Sequence, residues 1–248
     1  MIPIADSTRS RTFPWVNVTL IALNFAVFFY EIALSSQAFR GHVTQLDVFI
    51  YHWGNIPACT VDAWGQHVAQ ARSANCLGQP HPGWTPLTAM FIHGGWLHIL
   101  GNMLFLWIFG DNVEDAMGHA LYAVFYLLVG LAGASTQMFV SVHELTPAIG
   151  ASGAIAGVMA AYLVLFPRAT VVVIIPVLFF IPFPVPAFLL IGIWYVAQLM
   201  SGFATLGVGT SVGYFAHIGG FFAGALAVNF FAVHRGRARA RPARGLRR

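Results

Sequence analysis

Four polar residues, Ser152, His217, His98 and Asn102, lie close to the start of apolar segments of the chain. A serine hydroxyl becomes a nucleophile when a neighbouring base such as an imidazole accepts its proton. Hydrogen-bond donors such as His98 and Asn102 can stabilise the oxyanion that forms when a serine attacks a carbonyl. The residue types therefore predict nucleophilic acyl-transfer chemistry, provided that the fold brings them together.

Small residues around Ser152 and His217 have a second interpretation. Gly153 and Gly157 are four residues apart, as are Gly220 and Gly224, and this spacing is typical of closely packed membrane helices. The glycines on their own predict only helix packing. Close packing is also what a serine from one helix needs to reach a histidine on another at about 2.6–3.2 Å.

The composition indicates the environment of these residues. The chain is 58% hydrophobic and 8% charged, with a mean hydropathy of +0.74. Such a chain cannot build the charged surface of a soluble domain, so we predict an all-α polytopic membrane protein.

The apolar runs predict six transmembrane helices, with a long outer first loop at residues 36–84. We expect a cytoplasmic N-terminus at 1–12, a membrane domain at 13–233 and an Arg-rich cytoplasmic tail at 234–248. The first run is longer than the apolar region of a signal peptide, so we expect it to be retained. The predicted spans begin and end near 13–34, 96–109, 120–140, 150–166, 186–203 and 212–233.

Charge sets the orientation of these helices. All twelve basic residues are arginines, and seven of them lie in the last fourteen positions. After a membrane span, such a tail indicates the cytoplasmic side rather than a nucleic-acid site. Residues 170–203 are broken by four prolines, and two crossings there would put the tail outside. We therefore expect one crossing, preceded by a proline-broken segment near the inner interface, in a bacterial inner membrane with both termini cytoplasmic.

This topology places the polar residues at one depth. The second, fourth and sixth helices enter the membrane from the outer side and carry His98 and Asn102, Ser152, and His217 near their starts. At 1.5 Å per residue, all four lie within ~10 Å of the outer hydrocarbon boundary. Polar groups at such positions are costly and are therefore candidates for function.

A third catalytic residue is harder to find. Asp111 and Glu114 fall beyond the second helix on the inner side, and Glu144 lies in an outer loop where water would solvate it. We therefore expect a Ser152/His217 dyad. His93 is either a further partner of this site or a loop histidine.

The outer loop contains both cysteines of the chain. An outer location permits a disulfide between Cys59 and Cys76, but spacing does not reveal pairing geometry, so free thiols are an equal alternative.

Three motifs together resemble the rhomboid family of intramembrane serine proteases. They are Gly150-Ala-Ser-Gly153, Ala216-His217 before a glycine-rich helix, and His93-Gly-Gly-Trp-Leu-His98-Ile-Leu-Gly-Asn102 with Gly110, Glu114 and Gly118 downstream. They extend over about residues 84–226.

The resemblance implies a six-helix rhomboid-like bundle with no cofactor and no metal. It implies a catalytic dyad of Ser152 and His217, and an oxyanion hole of His98, Asn102 and the Ser152 amide. The partners it implies are the bilayer and membrane-anchored proteins, cut in or near the outer part of a transmembrane helix after a small residue. The fifth helix would correspond to a proposed lateral gate.

One position departs from the family pattern. Some members have a tyrosine four residues after the nucleophile that stacks on the histidine, whereas this chain has Ala156. Tyr214, Phe215 and Trp194 are candidates for orienting His217.

Other classes fit less well. His143-Glu144 has no second histidine at the spacing of a zinc protease. No pair of intramembrane aspartates is present, and the proline-broken segment has no counterpart in the other half, as a transporter would usually show. The alternative that stays open is a non-catalytic relative that binds and escorts transmembrane helices.

Overall fold

The structure is a computed structural model that describes residues 2–40, 42–66, 68, 76, 79–174, 181–206 and 212–232. Within these residues the chain is mainly helical, with two small sheets. The α-helices are, in chain order, α1 (Trp15–Ser35), α2 (Gln45–Trp53), α3 (Pro57–Val61), α4 (Thr85–Thr88), α5 (Trp96–Met117), α6 (His119–Val140), α7 (Ser152–Leu165), α8 (Ala187–Ala204) and α9 (Tyr214–Phe231). A π-helical turn follows α3 at Asp62–Gln66, and short 3₁₀ helices at Pro82–Trp84 and Ala89–Phe91 flank α4.

The bundle is built around α7, in which nearly every residue is buried. Its neighbours are α5, α6 and α9, while α1 and α8 lie at the periphery. The peripheral helices expose large apolar side chains, such as Phe29 on α1 and Met200 on α8, which are 56% and 70% exposed. Apolar side chains turned outward suit hydrocarbon surroundings, because a helix satisfies its own backbone hydrogen bonds.

The long helices agree with the predicted spans in position but differ in length. Four of them, α1, α6, α8 and α9, are long and apolar enough to cross a membrane singly. α5 meets that standard only with the short helices at Pro82–Phe91, from which it is bent by 78°. α7 is apolar but has only 14 residues. The protein is a helical multi-pass membrane protein with four or five candidate spans, and six crossings stay a prediction.

The second predicted span was too short. α5 continues past Phe109 to Met117, so Asp111, Glu114 and Asp115, which were expected beyond the span, belong to the last turns of this helix. Glu114 is fully buried there and its carboxylate accepts the backbone N–H groups of Val16 and Asn17 at 3.0 and 2.7 Å. These are orphan donors at the start of α1, so a buried carboxylate caps that helix.

The proline-rich segment after α7 also differs from an all-α fold. It contains strands β4 (Thr170–Ile174) and β5 (Pro182–Pro186), and β4 pairs on its other side with β1 (Ile2–Asp6). All three strands are antiparallel to their neighbours. The prolines of β5 lie on an edge strand, where a missing backbone donor costs little. A second, two-stranded sheet joins β2 (Ala38–Arg40) to β3 (Val43–Thr44).

Helices α2 and α3 of the outer loop, and α4 directly after it, pack against α1 and α6 at one end of the bundle. Cys59 and Cys76 are joined by a disulfide, with their Cα atoms 5.4 Å apart, so the structure selects the disulfide of the two alternatives. Trp64 and Trp84 are largely exposed, at 48% and 69%. Exposed tryptophans on this loop suit a membrane–water interface. We call the end of the bundle beneath this loop the outer end, and the end with the β1–β4–β5 sheet the inner end.

Residues 233–248 lie outside the described residues, so the predicted boundary near 233 and the predicted Arg-rich tail stay predictions.

Candidate active site

Ser152 is the first residue of α7, and His217 lies in the first turn of α9. The Oγ atom of Ser152 is 2.7 Å from Nε2 of His217. This is a hydrogen-bond distance for a hydroxyl and a ring nitrogen. The two residues come from separate helices but meet at the outer end of the bundle.

Glycines allow α7 and α9 to approach this closely. A Cβ atom on Gly220 would overlap the backbone carbonyl of Gly153, and one on Gly224 would overlap that of Gly157. The two glycine spacings of the sequence therefore interlock between these two helices. The same contact between α7 and α9 brings Ser152 within hydrogen-bond distance of His217.

His98 and Asn102 lie one turn apart on α5 and face the same space as Ser152. The Nδ2 atom of Asn102 has no hydrogen-bond partner among the described residues, although it is buried. Gly150 has φ +122°, and a Cβ atom there would lie 2.7 Å from Nε2 of His98. Only a glycine in this conformation lets the chain before Ser152 pass so close to His98.

A cavity of about 520 Å³ joins these groups. Its lining includes Ser152, His217, His98 and Asn102. The cavity is bordered by residues of the loop before α7, so it lies at the outer end. The amide of Asn102 and the Ser152 hydroxyl, which is hydrogen-bonded to His217, thus belong to residues that line one cavity. Attack of a serine on a carbonyl requires such an arrangement of nucleophile, base and donor.

His93 lies outside this lining, behind His98. It is 2% exposed, and its ring is 5.1 Å from that of His98 in an edge-on contact. Its backbone N–H donates to the carboxylate of Glu31 on α1, at 3.2 Å. His93 therefore packs against a cavity residue and connects it to α1.

The residue that orients His217 is one that the sequence did not suggest. Nδ1 of His217 lies 2.7 Å from Oε1 of Gln198 on α8. Among the expected candidates, the rings of Trp194 and Tyr214 lie 5.8 and 6.5 Å from the imidazole. Phe215 instead packs against Phe203 of α8. A glutamine in an otherwise apolar helix was the signal that could have identified this position.

A carboxylate does not take part in this pair. Both ring nitrogens of His217 already have partners, Ser152 and Gln198. Glu114 lies at the inner end, about twenty-four ångströms along α5 from His98 by helix rise. Ala156, which stands where a stacking tyrosine occurs in some family members, is fully buried in the core.

The fold and site together define a class, a helical multi-pass membrane protein with a hydrogen-bonded serine–histidine pair beside a cavity. The rhomboid domain model matches residues 80–233, which is more than half of the chain. The chain therefore belongs to the rhomboid family.

Curated relatives come from several compartments. The chain is 35% identical over 97 residues to Rhomboid-like protein 11, chloroplastic, of Arabidopsis thaliana, covering 38% of this chain and 34% of that protein. It is 29% identical over 143 residues to Rhomboid protein 1, mitochondrial, of Saccharomyces cerevisiae, covering 55% and 38%. It is 34% identical over 96 residues to Rhomboid protease GluP of Bacillus subtilis, covering 39% and 18%.

The chain thus spans less than two fifths of the length of each of these relatives. Their names indicate a chloroplast, a mitochondrion and a bacterium, so they do not favour a bacterial inner membrane over another membrane. The family and the helices establish an integral multi-pass membrane protein.

Proposed function

We propose that the chain is an intramembrane serine endopeptidase. It hydrolyses peptide bonds in or near the outer part of transmembrane helices of membrane-anchored proteins. The observation that carries this proposal is the 2.7 Å contact between Oγ of Ser152 and Nε2 of His217 in a shared cavity.

The reaction begins when Nε2 of His217 takes the proton of Ser152 and the Ser152 oxygen attacks the substrate carbonyl. The imidazolium then gives its proton to the leaving amine, which releases the first product and leaves an ester on Ser152. A water molecule, deprotonated by the same imidazole, hydrolyses the ester and returns Ser152 to its starting state.

The oxyanion of each tetrahedral intermediate is stabilised by three donors. They are the unpaired Nδ2 of Asn102, a ring N–H of His98 and the backbone N–H of Ser152. The Ser152 amide lies at a helix N-terminus, where its N–H is free and the helix dipole favours negative charge. Removing one such donor typically costs about 3 kcal/mol of transition-state stabilisation.

The substrate backbone must be accessible for attack. A transmembrane helix hides its carbonyls in internal hydrogen bonds, so local unwinding precedes cleavage. Glycine or proline near the cleaved bond lowers the cost of unwinding, and we expect such helices to be cut more readily.

The proposed location is a bacterial inner membrane with both termini in the cytoplasm. The basic C-terminal segment supports the orientation through the positive-inside rule. Transmembrane proteins and the bilayer are the expected partners, and no nucleic acid is expected.

The competing proposal is a non-catalytic rhomboid that binds and escorts transmembrane helices. The open cavity would serve such a protein as well. It would not need a base hydrogen-bonded to Ser152 or an unpaired donor on Asn102, and these two features favour the enzyme.

Cleavage of a reporter with one transmembrane helix tests the proposal. Ser152→Ala and His217→Ala are each expected to abolish cleavage, whereas Ser35→Ala, a serine at the exposed end of α1, is expected to retain it. Cleavage that persists in both site variants would contradict the proposed function. Binding of the uncut reporter to an inactive wild type would favour the escort protein.

A further inference from the structure

The Ser152–His217 pair has a third member on a third helix. Gln198 lies on α8, and its Oε1 atom is 2.7 Å from Nδ1 of His217. We propose that Gln198 is a positioning residue: its amide oxygen accepts a hydrogen bond from Nδ1–H and holds the neutral imidazole in the tautomer whose Nε2 can take the Ser152 proton. This inference rests on the proposed protease function and extends it.

The tautomer follows from the count of protons on a neutral imidazole. One ring nitrogen donates and the other accepts. If Nε2 is to accept from the Ser152 hydroxyl, then Nδ1 must carry the proton and needs an acceptor. The amide oxygen of Gln198 is such an acceptor. A rotated amide would present NH₂ to Nδ1, which would move the ring proton to Nε2 and block the base.

A glutamine has a particular advantage inside a membrane. A carboxylate at this position would be charged at rest, and desolvating a charge is expensive unless it is fully paired. The neutral amide supplies the acceptor without that cost. When His217 gains the Ser152 proton, the same amide dipole still points at Nδ1–H and stabilises the cation.

Two rings on α8 near Gln198 contact α9. Trp194, one turn earlier on the same face, lies 5.8 Å from the His217 ring. Tyr195 stacks on Phe221 of α9, with centroids 4.0 Å apart. Ser152 on α7 and Gln198 on α8 therefore hold opposite nitrogens of one imidazole.

The consequence concerns the docking of α8. This helix buries few of its residues, namely Ala187, Leu190, Ile191 and Gly202. If α8 moved away from α9, the Nδ1 contact would break while the Ser152 contact could stay. A competent base therefore requires α8 to be docked, although α8 carries neither the proposed nucleophile nor the proposed base.

Variants at Gln198 test the proposal. Gln198→Leu keeps approximate size and removes the acceptor, whereas Gln198→Glu restores an acceptor oxygen. Ala197→Leu places the same leucine on the exposed side of α8 as a control. Two rates are measured over a range of pH: labelling of Ser152 by a fluorophosphonate, and cleavage of the transmembrane reporter.

For Gln198→Leu we expect kcat and the labelling rate to fall roughly 10- to 100-fold with an unchanged KM, because proton transfer and not substrate binding is affected. Gln198→Glu should recover most of the rate. The acid limb of the pH–rate profile of Gln198→Glu should move to higher pH, because an anion beside Nδ1 stabilises the imidazolium. The other titratable groups that line the cavity with His217 among the described residues are unchanged in every variant; they are His98, His143, Glu144 and Tyr214. Ala197→Leu should match the wild type.

Rates within twofold of wild type in Gln198→Leu would overturn the role of Gln198 while leaving the protease intact. A Glu variant as slow as the Leu variant, with an unmoved acid limb, would do the same. A wild type that neither labels at Ser152 nor cleaves would instead overturn the protease function. Nitrogen NMR of ¹⁵N-histidine wild type gives a test without substitutions: we expect the His217 proton on Nδ1, and a proton on Nε2 would contradict the proposal.

Discussion

The two ends of the bundle both bury polar side chains, but they use them differently. At the inner end, Glu114 accepts two backbone N–H groups of α1, and Asn17 is hydrogen-bonded to Leu106 and Tyr122. At the outer end, Asn102 lines a cavity, and its buried Nδ2 atom has no partner within the part of the chain that the structure describes.

This difference distinguishes buried polar groups that stabilise the fold from buried polar groups that are available to bind a ligand or a transition state. A buried polar group whose bonds are all made within the chain stabilises the fold. A buried donor left unpaired beside a cavity costs free energy, so it is retained for a ligand or a transition state. Substitutions of Glu114 or Asn17 at the inner end should therefore lower stability and spare catalysis, whereas substitution of Asn102 at the outer end should lower catalysis and spare stability.

The largest expected effect is that of Glu114→Leu at the inner end. It leaves the buried N–H of Asn17 and the partly buried N–H of Val16 without an acceptor, and we expect the free energy of unfolding to fall by about 3–5 kcal/mol. Thermal unfolding in detergent measures this. Glu114→Gln, which keeps one acceptor oxygen, should lose about half as much. Folded Glu114→Leu protein should keep a near-normal kcat, and a kcat as low as that of Ser152→Ala would contradict the separation of the two ends.

Asn102→Ala at the outer end should show the opposite pattern. Loss of an oxyanion donor is expected to lower kcat by about 100- to 1000-fold. The melting temperature should be unchanged or higher, because the variant no longer buries an unpaired amide. A lower melting temperature with normal kcat would place Asn102 among the structural groups.

Gly220→Ala should affect both properties through the contact of α7 with α9. A Cβ atom there meets the Gly153 carbonyl, so the helices must separate. A displacement of about 1 Å between reacting groups can cost about 100-fold in rate, and we expect a loss of that size. Gly192→Ala on α8 is the matched control, since a Cβ at Gly192 meets no atom within 4 Å among the described residues. Equal activity of the two variants would contradict the claim that Gly220 sets the separation of α7 and α9 needed for activity.

The smallest expected effect is at Asp6, which accepts a hydrogen bond from Tyr162 on α7 and faces Asp111 of α5. Burial raises the pKa of Asp6 above its usual range. The folded state therefore holds the proton more tightly than the unfolded chain, and this contribution to stability falls as pH rises from about 4 through the raised pKa. Asp6→Asn should remove that fall and raise the melting temperature at pH 7 by about 2 °C.

Asp47 provides a control of opposite sign. Hydrogen bonds from the backbone and side chain of Thr44 lower the pKa of Asp47, so its contribution is present at neutral pH and is lost as pH falls. Asp47→Asn should therefore lower stability at pH 7. A higher melting temperature of both variants at pH 7 would contradict the opposite pKa shifts of Asp6 and Asp47.

Parts of this arrangement were predictable from the sequence because they depend on spacing within a helix. Glycine pairs flanking Ser152 and His217 indicate close helices, and His98 and Asn102 at i and i+4 must share a face. Alternation of helix direction then puts all four residues at one depth.

Other parts depend on contacts between distant segments and were not predictable in the same way. Glu114 was expected beyond the second span on the inner side, but its hydrogen-bond partners lie on α1. Those contacts depend on the register of α1 against α5, which neither segment determines alone. The prolines correctly argued against a continuous helix, whereas the strand pairing of β4 requires residues 2–6. Gln198 was missed because the rotation of α8 against α9 decides which residue faces His217.

The most direct test of the central claim is the site and stoichiometry of a covalent fluorophosphonate adduct, determined by peptide mass spectrometry. We expect one adduct per chain on Ser152 in the wild type and none in a folded His217→Ala variant. An adduct on another serine, or equal labelling of Ser152 without His217, would contradict activation of Ser152 by His217.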